Sequence, residues 1–93
     1  MSQDFDPQAV YAVADKFIAL ANELAQDDNS GVVGMGIRYA AARYNAFESS
    51  LMTEDLAGDK EKMLEMFSDD FRKMMNENLD DYIRHLAERA SQS

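Results

Sequence analysis

A lone histidine, two arginines set among tyrosines and a cluster of aspartates are the residues of this sequence whose types and spacing could do chemistry. His85 is the only histidine, with Asp81 four residues before it and Glu77 four before that, so on a helix the three share a face that a metal could use. Metal sites in helical bundles draw their ligands from several helices, however, and the di-iron pattern needs two Glu-x-x-His units, of which this chain has none. The expectation is a solvated histidine in a polar stripe near a helix end, with no metal and no cofactor.

Arg38, Tyr39, Arg43 and Asn45 form the second constellation. Guanidinium forks suit carboxylate or phosphate, so these four residues are the candidate ligand site, an anion pocket beside Tyr39 and Tyr44. The competing reading is structural, with Arg43 neutralising an aspartate of the third helix.

Asp27-Asp28-Asn29-Ser30-Gly31 invites comparison with a calcium loop and fails it. Val32 stands where that loop needs glycine, and Arg38 stands where it needs a bidentate glutamate. A plain turn with a helix cap at Asn29 or Ser30 is expected instead. Nothing supports a Ser-His-Asp triad, because the serines lie mostly in termini, caps and loops. The carboxylate pairs (Asp27 with Asp28, Glu54 with Asp55, Asp69 with Asp70, Asp80 with Asp81) are sequence neighbours, which do not face one another on a helix. Gly34-Met35-Gly36 is too short to be a nucleotide-binding fingerprint. No catalytic residue is assigned, and the chain is read as not an enzyme.

These residues must be positioned by helices. Asp6 and Pro7 make a helix start, since the carboxylate accepts from free amides and proline at the first position forfeits no needed donor. Val10, Val13, Phe17, Leu20 and Leu24 then recur at helical spacing, which predicts a helix over about 7–26. Val33, Ile37, Ala40, Tyr44, Phe47 and Leu51 follow at intervals of four, three, four, three, four and predict a second helix over 32–52. Gly34, Gly36, Ala40, Ala41, Ala42 and Ala46 thin its surface enough for another helix to approach closely. Thr53 to Gly58 breaks the pattern, and Asp59 caps a third helix over about 60–90.

At ~31 residues that third helix would reach ~46 Å, against ~30 Å for the other two. Its apolar end, Leu79, Tyr82, Ile83 and Leu86, then has no obvious partner in a three-helix bundle. Either Asn78 caps a short fourth helix that folds back, or the third helix overhangs and pairs with a second copy of the chain. The second alternative is preferred.

Composition sets the outer limits. A chain of 93 residues makes one domain, and charges interrupt every apolar stretch well short of a bilayer span. The opening Met1 to Asp6 carries acid where an export signal carries base, and the chain has no cysteine; both fit a cytoplasmic setting. Eighteen acids against nine bases leave a net charge of -9, which disfavours direct nucleic-acid binding. Such a surface serves solubility, or docking on basic partners as an acidic mimic or inhibitor. Seven methionines, with Met63, Met66, Met74 and Met75 on the third helix, suit either an adaptable interface or a loosely packed core.

The stretches YAAARYNAF (Tyr39 to Phe47), NLDDYI (Asn78 to Ile83) and DKFIALAN (Asp15 to Asn22) resemble a family of small acidic bacterial proteins of unknown function. The resemblance implies a bacterial source and a compact helical fold, and it brings no activity, cofactor or binding residue with it. The combined expectation is an all-α helical bundle acting as a protein–protein interaction module that self-associates, most simply as a homodimer. Its contact surface would be Leu79, Tyr82, Ile83 and Leu86 together with the small-residue face of the second helix. The alternatives are the anion pocket and the acidic mimic.

Overall fold

The computed structural model describes residues 5–92; Met1 to Asp4 and Ser93, part of the termini expected to be flexible, lie outside them. The described residues form three α-helices, α1 (Pro7–Ala25), α2 (Val32–Met52) and α3 (Leu56–Gln92), and no strand. The fold class is all-α, as the periodicity requires. The chain divides into two compact units, one built on α1 and α2 and the other on the chain from Gly58 onward.

In the first unit α1 and α2 form a hairpin and touch one another. The start of α1 is the one that Asp6 and Pro7 dictate: the Asp6 carboxylate accepts from the Gln8 amide at 3.0 Å, and proline occupies the first turn. The α1–α2 turn is built by its short polar side chains. Asp28 Oδ1 accepts from the Ser30 amide at 2.8 Å, and Ser30 Oγ accepts from the Val32 amide at 3.3 Å. The residue flanking α2 is Gly31, with φ of 95° and no side-chain cap of its own, so Ser30 serves the first amide of α2 from one position further out. A Cβ at this φ is strained whatever the surrounding space, by about 1–2 kcal/mol. Gly31→Ala is therefore expected to lower the thermal midpoint by at least about 4 °C, read by circular dichroism.

Packing within this hairpin is partial. Val10, Ala14 and Ala21 of α1 and Val33 of α2 are half-buried, whereas Phe17, Leu20 and Leu24 stay exposed, as do Ile37, Tyr44, Phe47 and Leu51. Toward the end of α2 the covered side is polar. Asn45 and Glu48 are half-buried, and Ser49, at 3% exposure, donates its hydroxyl to the Asn45 carbonyl at 2.9 Å. Tyr44 and Phe47, by contrast, are exposed and lie tilted against each other, with ring centroids 6.0 Å apart. The small-residue surface of α2 is open as well: a Cβ on Gly36 would meet nothing within 4 Å.

The third helix corrects one expectation and decides between two alternatives. It begins at Leu56 rather than Lys60, so Asp59 lies in its first turn instead of capping it. Only Thr53 to Asp55 separates it from α2, and Thr53 Oγ1 accepts from the Asp55 amide at 3.0 Å. It also runs unbroken through Asn78, which removes the short fourth helix. Asn78 turns its amide back onto its own helix, Nδ2 donating to the Met74 carbonyl at 2.8 Å, and so supports the helix instead of capping a new one. At 37 residues α3 is ~55 Å long. Asp59, Met63, Met66, Phe67 and Asp70 are half-buried, and from Phe71 to Gln92 every residue is exposed.

Candidate functional site

Continuity of α3 turns its distal apolar residues into one straight stripe. Leu79, Tyr82, Ile83 and Leu86 fall at intervals of three, one and three, which stacks them on adjacent turns of a single face. They are 54%, 68%, 62% and 59% exposed. Toward the N-terminus the same face continues through Met75, Phe71 and Leu64, all exposed. From Leu64 to Leu86 is 22 residues in six turns, close to the natural 3.6-residue period, so the stripe stays on one side without any supercoil.

Two polar residues lie on this face, and reading the sequence by carboxylate spacing misses them. Asn78 and His85 continue the line of Leu64 and Phe71 at exact intervals of seven. Counting sevens from Phe71 would have found them. Asp81 is held by Arg84 one turn on, in a hydrogen-bonded ion pair, while the His85 ring meets the Tyr82 ring nearly edge-on at 6.3 Å between centroids. His85 is thus at the border of the apolar stripe rather than in the middle of the polar one. No group of three or more His, Asp or Glu among the described residues is placed to hold a metal ion.

The arginine constellation is divided by its helix. Arg38 and Arg43 are five residues apart and so point about 140° away from each other around α2. Arg43 shares a face with Tyr39, and Arg38 shares one with Asn45. Each member also has its own setting. Arg38 Nη2 donates to Met35 Sδ at 3.6 Å, Asn45 Nδ2 donates to Glu48 Oε1 at 2.7 Å, and Tyr39 is 69% exposed. Arg43 is exposed and takes part in neither the Lys73–Asp69 pair (3.1 Å) nor the Arg84–Asp81 pair, both of which lie within α3. Arg43→Ala is therefore expected to move the thermal midpoint by no more than a surface substitution does, within about 0.5 kcal/mol of stability. A large drop by circular dichroism would restore the structural ion pair.

A shallow concavity sits on the α1–α2 turn, lined by Ala25, Gln26, Asp27, Asp28 and Asn29. Its two carboxylates disfavour an anion, and it includes none of the four α2 candidates. The Ser30 hydroxyl and then the Ser30 amide hold the Asp28 carboxyl below the usual carboxylate range. Because that pKa is depressed by folding, the contribution of this turn is present above the ordinary carboxylate range and is lost as pH falls through the folded value.

None of the three helices is long and apolar enough to cross a membrane. The profile of a family described as protein of unknown function (DUF3144) matches residues 10–83, a span that takes in α1 from Val10, all of α2, and α3 as far as Ile83. No curated protein and no solved structure matches the chain.

Proposed function

We infer that this chain, which belongs to the DUF3144 family of proteins of unknown function, is a non-enzymatic protein–protein interaction module of the bacterial cytoplasm that self-associates as a homodimer. The observation that carries this reading is the bare stripe on α3, where Leu79, Tyr82, Ile83 and Leu86 line one face and each is more than half exposed. Contiguous apolar surface of this kind marks interaction sites, because water is a poor solvent for it. The hairpin unit supports the same conclusion, since Tyr44, Phe47 and Leu51 of α2 stand exposed while polar Asn45, Glu48 and Ser49 are covered.

The non-enzymatic part rests on the settings of the titratable residues. The single histidine lies against a tyrosine ring, and Asp6, Asp28, Asp69 and Asp81 hold backbone amides or helix-surface cations, while Glu48 accepts from the Asn45 side chain. A cytoplasmic setting is supported by the cysteine-free, acidic composition. The anion-pocket reading has less behind it, because α2 splits Arg38 with Asn45 from Tyr39 with Arg43.

Size exclusion coupled to light scattering tests the reading over a wide concentration range. A mass twice the 10.5 kDa of the chain is expected, falling toward the monomer only on strong dilution. A constant 10.5 kDa at every concentration would overturn self-association.

A further inference from the structure

We draw no further inference here: the strongest candidate, the exposed apolar stripe along α3 from Leu64 to Leu86, carries nothing beyond the reading above, because nothing in the structure shows what covers it.

Discussion

Under the proposed self-association, replacing Ile83 or Leu86 with aspartate is expected to leave a helical monomer in place of a dimer. Both side chains are mostly exposed in the single chain, at 62% and 59%, so neither change removes much packing from the monomer. The local cost is then confined to helix propensity, below ~0.7 kcal/mol for aspartate in place of an ordinary residue. In the pair the same substitution acts twice. Each copy forfeits ~1.5–3 kcal/mol of aliphatic burial and forces a carboxylate against an apolar surface. The loss is at least ~3 kcal/mol for the dimer, more than a hundredfold in its dissociation constant. Sedimentation equilibrium measures the mass, and circular dichroism on the same samples shows whether helix content is retained. Ile83→Asp and Leu86→Asp proteins that both keep the wild-type mass would exclude this stripe as the contact, whatever else associates.

How much of this was legible in the sequence depends on which force sets each feature. The bounds of α2 follow from a local pattern, apolar residues at four, three, four, three, four, and the observed helix runs over the expected residues. Asp6 and Pro7 fixed the start of α1 for an equally local reason, a side-chain acceptor beside a residue that needs no donor. The start of α3 was misplaced because Gly58 was taken as a breaker. Glycine in a helix costs only ~1 kcal/mol relative to alanine, and here a helix of 37 residues absorbs it. Asn78 left two alternatives open, since asparagine can cap a helix or hydrogen-bond back into one, and the choice depends on a rotamer that the sequence does not specify.

The candidate surface divides along the same line. Leu79, Tyr82, Ile83 and Leu86 were legible as a stripe because periodicity alone defines it. The place of His85 was not, because intervals of four to Asp81 and Glu77 and an interval of seven to Asn78 are both present in the sequence. The structure separates them by engaging Asp81 with Arg84 and setting the imidazole on Tyr82. For Arg38, Tyr39, Arg43 and Asn45, closeness in sequence suggested a cluster that helical geometry divides.

The melting temperature is expected to rise with protein concentration, and helix content is expected to fall on dilution into the nanomolar range. Among the described residues no apolar side chain is buried, although 46% of the chain is hydrophobic. Isolated helices are marginal in water because nucleation is costly, and most helix stability in proteins comes from packing an apolar face. Under the proposed self-association, the exposed faces of α1, α2 and α3 gain their burial from a second copy. Stability then follows mass action. Each tenfold rise in concentration adds ~1.4 kcal/mol to a dimer and moves its midpoint by a few degrees. Thermal melts by circular dichroism over three decades of concentration measure this directly. A midpoint that does not move over that range would mean that each chain closes its apolar faces within itself, and the stripe on α3 would lose its claim to a second copy.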